Sequence, residues 1–318
     1  MFGAGEPENV VFTLNATHAL NIAIKSLVSA GSRAVVSGFE HNAVMRPLNA
    51  VGGADICVVR TPPFMPDACL AGFDRAVTRG TAAAICTHVS NVFGCVQPID
   101  EIAEICRSRG VPLIVDAAQS AGTLKIDIGR WGAAFVAMPG HKGLYGPQGT
   151  GMLLCAHGTK TLIEGGTGSM SAMMEMPDFL PDRLEAGTQN VPGIAGLGAG
   201  MAFVEKTGEA RIAAHERAMM ARAAAGIRRL PRAEVFAPEN AALQSGALSF
   251  RVKDADCESV AEELSERGIA VRAGLHCAPL AHETAGTEKT GTVRISASAF
   301  TTSDDIDYFI DALREISS

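Results

Sequence analysis

Val111-Pro112-Leu113-Ile114-Val115-Asp116-Ala117-Ala118-Gln119 holds a short continuous apolar run that stops on an acid. A run of this kind suits a strand covered on both faces, because no polar residue alternates along it. Similar runs stand on either side. Val10-Val11-Phe12-Thr13, Arg33-Ala34-Val35-Val36, Asp55-Ile56-Cys57-Val58-Val59 and Ala82-Ala83-Ala84-Ile85-Cys86-Thr87 precede it, and the runs from Ala133 to Ala137 and from Gly151 to Cys155 follow. Helical spacing lies between them, from Ala16 to Val28 and again from near Pro98, where Asp100 and Glu101 come close behind the proline. The alternation predicts an α/β fold with a mainly parallel sheet and helices on both faces.

The second half changes character. An Ala-rich helical stretch runs from about Gly198 to Leu230 with a few interruptions. After it come a strand from Ala247 to Val252, a helix from Cys257 to Arg267, a strand from Val293 to Ser296 and a final helix. The last opens at Thr302-Ser303-Asp304-Asp305, an N-cap followed by acids, and turns Ile306, Phe309, Ile310 and Leu313 to one face. The reading is a large unit over residues 1–200 and a smaller α+β unit over residues 201–318.

With 318 residues, 47% of them hydrophobic and 19% charged, the chain has material for a sizeable core. Its 27 basic and 34 acidic residues leave a net charge of -7, which offers no basic surface for nucleic acid. No stretch of 18 apolar residues suggests a membrane span, and the first residues lack the pattern of a secretory signal. Eight cysteines are scattered with no C-x-x-C pair, as reduced, buried cysteines are, so a cytoplasmic protein is expected. Gly196-x-Gly198-x-Gly200 fails the dinucleotide fingerprint, since Met201 takes the third glycine position, and reads as close helix packing. The Gly165-Gly166-Thr167-Gly168-Ser169 run reads as a phosphate cradle or as a loop near a subunit interface. His276, His282 and Cys277 lack a fourth ligand at suitable spacing, so no metal is expected.

In an open α/β sheet, ligands gather at the carboxyl ends of the strands. Five polar segments fall at such ends: Thr13 to Thr17, Glu40-His41-Asn42, His88 to Asn91, Asp116 to Gln119 and Pro139-Gly140-His141-Lys142. The helix opening at Ala16-Thr17 would offer free N–H groups to an anion. Lys142, flanked by Gly140 and Gly143, sits where backbone or a flat ligand can come close; a lysine held there can lose its proton and form a Schiff base.

Taken in order, Ser90-Asn91-Val92-Phe93-Gly94, Asp116-x-x-Gln119, Gly140-His141-Lys142, Glu185-Ala186-Gly187-Thr188 and Arg272-Ala273-Gly274-Leu275-His276-Cys277-Ala278 resemble the cysteine desulfurases and related class V aminotransferases. The similarity extends from about Asn9 to Ile316. It implies a homodimeric pyridoxal-phosphate (PLP) enzyme of fold type I that converts L-cysteine to L-alanine, leaves a persulfide on Cys277 and hands the sulfur to an acceptor protein. By the same resemblance, Lys142 holds PLP and moves the Cα proton, Asp116 pairs with the ring nitrogen, and His41 stacks on the ring. Asn91 and Gln119 bond the 3-oxygen, while Ala16, Thr17 and His141 hold the phosphate. Thr188 reaches the phosphate of the neighbouring subunit. Arg294 clamps the substrate carboxylate, with Arg272 as a second active-site arginine and Asn91 beside the substrate.

Three features depart from the family pattern. The usual N-terminal segment with an L-D-N-A-A-T-type motif does not precede the match, Pro139 replaces a Ser or Thr, and His18 stands where an acid is usual. These bear on cofactor affinity. Another class V activity (an aminotransferase or selenocysteine lyase) and a catalytically silent fragment are the alternative readings.

Overall fold

The computed structural model describes residues 1–317. Its first half alternates strand and helix: β1 (Val10–Thr13), α1 (Ala16–Leu27), β2 (Arg33–Ser37), α2 (Asn42–Val51), β3 (Asp55–Val59), α3 (Pro66–Ala76), β4 (Ala83–Thr87), α4 (Ile99–Arg109), β5 (Leu113–Asp116), α5 (Ile128–Trp131), β6 (Phe135–Pro139) and β7 (Gly151–Cys155). The strands form one sheet in the order β1-β7-β6-β5-β4-β2-β3. β7 alone runs against the others, pairing antiparallel with both β6 and β1. The connection of residues 140–150 is too short for the crossover that a parallel pair needs, and it turns the chain straight back.

Successive residues of the central strands face opposite cores. Ala84, Cys86, Leu113, Val115 and Val136 pack with Phe73 of α3 and Ile102 of α4. Ala83, Ile85, Ile114, Phe135 and Ala137 pack with Leu20 of α1 and Leu48 of α2. Burial on both sides is why these strands read as unbroken apolar runs.

The remaining elements are α6 (Val191–Thr207), α7 (Glu209–Ile227), β8 (Ala233–Phe236), β9 (Ala247–Val252), α8 (Cys257–Glu266), β10 (Arg272–Gly274), α9 (Pro279–Ala285), β11 (Thr292–Ser296) and α10 (Ser303–Ile316). A second, antiparallel sheet has the order β10-β11-β9-β8. Phe250 and Val293 of this sheet pack against Met220 of α7, Leu264 of α8 and Phe309 of α10. The Ala-rich stretch is broken at Gly208, whose φ of 94 few other residues would tolerate. In α6 the glycines serve packing: a Cβ on Gly200 would lie 2.3 Å from the Leu144 carbonyl oxygen. Among the described residues, no helix is long and apolar enough to cross a membrane.

Residues 90–97, just after β4, join the two sheets. Ser249 of β9 donates to the Val92 carbonyl at 2.6 Å, and Gln244 Nε2 donates to that of Phe93 at 3.0 Å. Phe93 packs edge-on to Phe39, and Ala278 and Ala281 fill the same buried cluster. The segments flanking the reactive end of the large sheet are therefore anchored to the small one.

Candidate active site

All five strand-end segments reach one cleft of about 310 Å³, whose lining includes Thr17, His41, Asn91, Asp116, Gln119 and Lys142. Ala16, Pro139 and His141 complete that wall. A second cavity, also about 310 Å³, shares Gln119 and Lys142 and extends to Arg294. Lys142 thus stands where two compartments meet. One ends on an acid and a helix N-terminus, the other on a guanidinium.

Close backbone approach places the lysine. A Cβ on Gly143 would come within 2.4 Å of the Ala121 carbonyl oxygen, and one on Gly140 within 2.1 Å of Thr150 Oγ1. The flanking glycines therefore let the Lys142 turn press onto neighbouring chain. Lys142 is accessible from the cleft, yet its burial among protein pulls its pKa below the usual lysine value. Asp116 works against this shift, and Arg294 adds to it. Asp116 is 3% exposed, and burial raises its pKa; the Ala118 N–H, 2.9 Å from Oδ1, and the charge of Lys142 hold it down. A neutral amine is the form that attacks a carbonyl or takes a proton, so the lowered lysine pKa favours the chemistry.

His41 caps α2, its Nδ1 accepting the Ala43 N–H at 2.9 Å. Burial, with Lys142 and Arg46 nearby, lowers its pKa to about 4. The ring is neutral at pH 7, with its proton on Nε2. At the opposite wall, Asn15 caps α1 through the His18 N–H at 2.9 Å, leaving the Ala16 and Thr17 amides without partners within the helix. Those amides and the positive helix end suit an anion. His141 lines the same wall, its pKa lowered by burial and then by Lys142. Pro139 brings no N–H there.

Arg294 of β11 donates from Nη1 to the Asn91 carbonyl at 2.8 Å, while its buried Nε has no partner. Arg272 lies opposite it on β10, exposed, so two guanidiniums sit side by side. Burial, then Arg272, lowers the Arg294 pKa. Asn91 lines the cleft, but its Nδ2 donates to the His276 carbonyl at 2.8 Å, leaving a buried Oδ1 unpartnered. Thr188 lies apart, in a groove with Leu14, His18 and Asn190. Gly165 to Ser169 line a different open groove with Met170 and Met174.

Of the eight cysteines, all free, Cys277 alone is exposed. Burial pushes Cys69, Cys95, Cys106 and Cys155 up to about 12, which leaves them inert thiols. Cys277 sits in a left-handed turn, φ 57, and its carbonyl accepts the Asn42 N–H at 2.8 Å. That bond ties its loop to the residue after His41.

Glu40 stands in one of the five strand-end segments, but nothing in the sequence assigns it a role. Glu40, fully buried, accepts from the Ser37 hydroxyl at 2.5 Å and from the Thr87 N–H at 2.8 Å through Oε1; its Oε2 has no partner. Burial, with the Asp116 charge adding, raises its pKa from 4.5 to about 8 against the Ser37 and Thr87 hydrogen bonds. Glu40 is therefore protonated at pH 7. A carboxyl with a raised folded pKa contributes stability below its unfolded value and loses that contribution as pH rises through the folded one. Between pH 5 and 8.5, wild type should lose on the order of 3 kcal/mol relative to Glu40→Gln, which cannot ionise. Urea unfolding of both proteins at the two pH values measures this difference. Equal pH slopes would show that Glu40 is ionised throughout.

A family model described as aminotransferase class-V matches residues 1–309. The chain belongs to that family. It is 35% identical to a probable cysteine desulfurase of Methanothermobacter thermautotrophicus over 97% of this chain and 79% of that protein. It is 32% identical to a cysteine desulfurase of Klebsiella pneumoniae over 98% of this chain and 79% of the relative. Among solved structures, the apo cysteine desulfurase of Thermococcus onnurineus superposes with a TM-score of 0.88 at 28% identity, over 98% of this chain and 79% of that one. The cysteine desulfurase CsdA of Escherichia coli, as an S-sulfonic acid, gives 0.88 at 25% identity with the same coverage. The α/β fold expected from the sequence, PLP fold type I, is thereby borne out. Class V aminotransferases are PLP enzymes, and the cleft suits that cofactor: an amine, a buried acid opposite it, a neutral imidazole and an anion-binding helix end line one space.

Proposed function

We propose that this chain is a PLP-dependent cysteine desulfurase, converting L-cysteine to L-alanine and leaving the sulfur on Cys277. The observation that carries the reading is that the one exposed cysteine lies on a loop hydrogen-bonded to Asn42, next to His41, and to Asn91, and that His41 and Asn91 both line the Lys142 cleft. An aminotransferase has no use for a thiol there.

PLP, when bound, supplies an electron sink for the substrate's Cα–H bond. Lys142 Nζ would hold it and then carry the Cα proton. Asp116 and His41, with Gln119 and Asn91, would hold its ring, and Ala16, Thr17 and His141 would hold its phosphate. Arg294, with Arg272 beside it, binds the substrate carboxylate, for which a planar guanidinium is suited. The Cys277 thiolate attacks the substrate sulfur. An S–S bond forms as the Cβ–S bond breaks, the electron pair stays with the carbon skeleton, and that skeleton takes up protons and leaves as alanine.

The working unit in this reading is a homodimer in which Thr188 serves the neighbouring subunit's phosphate. Its separation from the Lys142 cleft supports this, as do the exposed Met170, Met174, Phe179 and Val191 in the same part of the chain. A cofactor-holding unit over residues 1–200 and a smaller one over residues 201–318, a cytoplasmic setting and an acceptor protein for the sulfur belong to the same proposal. The test is to incubate the protein with PLP, desalt it and add L-cysteine. Alanine in solution and a mass increase of one sulfur on the Cys277 peptide are expected; a coloured protein yielding neither would refute the reading.

A further inference from the structure

His276 and Cys277 are consecutive non-glycine residues in the left-handed region, with φ of 50 and 57. Side chains rarely adopt that region, and two in a row persist only where surrounding contacts hold them. Three contacts do so. The Asn42 N–H donates to the Cys277 carbonyl at 2.8 Å, and the His276 ring meets the Thr292 carbonyl and hydroxyl at 3.1 Å each. The third is Asn91 Nδ2, which donates to the His276 carbonyl at 2.8 Å. It is the one that reaches the loop from a side chain lining the cofactor cleft.

The backbone carbonyl of Asn91 takes Arg294 Nη1 at 2.8 Å. A single residue, 8% exposed, thus connects the thiol-bearing loop, the guanidinium and the cleft. We propose that Asn91 is a positioning residue for Cys277: its side-chain amide sets the reactive loop relative to the carboxylate clamp. The part of this inference that concerns sulfur transfer rests on the desulfurase reading. The tether itself does not.

The experiment uses cofactor-free protein. Asn91→Ala removes the donor, and Asn91→Asp removes it while keeping the shape, so that a void at position 91 does not decide the outcome. Alkylation of Cys277 by iodoacetamide is followed by peptide mass spectrometry, with the six buried cysteines as internal controls. Both variants should alter the Cys277 rate at least about threefold while the control cysteines stay unreactive. A residue that served only the cofactor would leave that rate untouched, and an unchanged rate in both variants overturns the proposal. General labelling of the control cysteines, a sign of unfolding, also overturns it, because the amide would then be holding the fold. With PLP and L-cysteine added, persulfide on Cys277 should form at least about tenfold more slowly in both variants. Altered alkylation in the variants with no persulfide even in wild type would keep the tether and reject the desulfurase reading.

Discussion

Lys142→Ala is expected to abolish the visible absorbance that protein incubated with PLP and desalted should carry, and to lower alanine release from L-cysteine by about 10⁴-fold or more. One amine is given two tasks, attachment and proton transfer, so its removal costs both. The fold should survive, because Lys142 carries its charge under a desolvation penalty that alanine does not pay. Thermal unfolding of the variant at or above the wild-type midpoint, alongside a colourless sample, would separate lost chemistry from lost structure. A variant that keeps both colour and turnover would remove Lys142 from the site and the cleft from the argument.

The second large effect is at Cys277. Cys277→Ala should eliminate persulfide and lower alanine release by about 10³-fold or more, while the cofactor absorbance remains. Cys277 is exposed and its side chain packs no core, so stability should change by no more than about 0.5 kcal/mol. Full turnover in this variant would favour a class V reaction that needs no thiol. The pairing of the two variants is informative because one empties the cleft and the other leaves it filled.

Much of this architecture was legible in the residues. Leu113 to Asp116 is a strand because both its faces are buried, and an apolar run bounded by helical spacing leaves few alternatives. The five polar segments could be assigned to one edge for a related reason: strands that point the same way put their carboxyl ends together. Among the eight cysteines the family resemblance pointed to Cys277, and it is the exposed one.

Other elements left little trace. β8 and β10 are short, Ala233–Phe236 and Arg272–Gly274, and neither presents the fully buried run of a central strand. α2 contains Pro47, a residue that by itself argues against a helix interior. The break at Gly208 is hidden in an Ala-rich stretch whose composition is helical on both sides.

The resemblance to class V enzymes pointed to Lys142, Asp116 and Cys277; the order of apolar and polar residues by itself determined the strands of the large sheet and the edge at which the polar segments meet. Those are local properties, carried by periodicity and by residues that sit within a few positions of a strand end. Only the tertiary structure decided that β7 runs backwards, that Glu40 is a buried, protonated acid, that Arg272 lies beside Arg294, and that Asn91 holds the Cys277 loop across 185 positions of chain. Burial and hydrogen-bond partners depend on which distant segments come together, and no stretch of sequence carries that information alone.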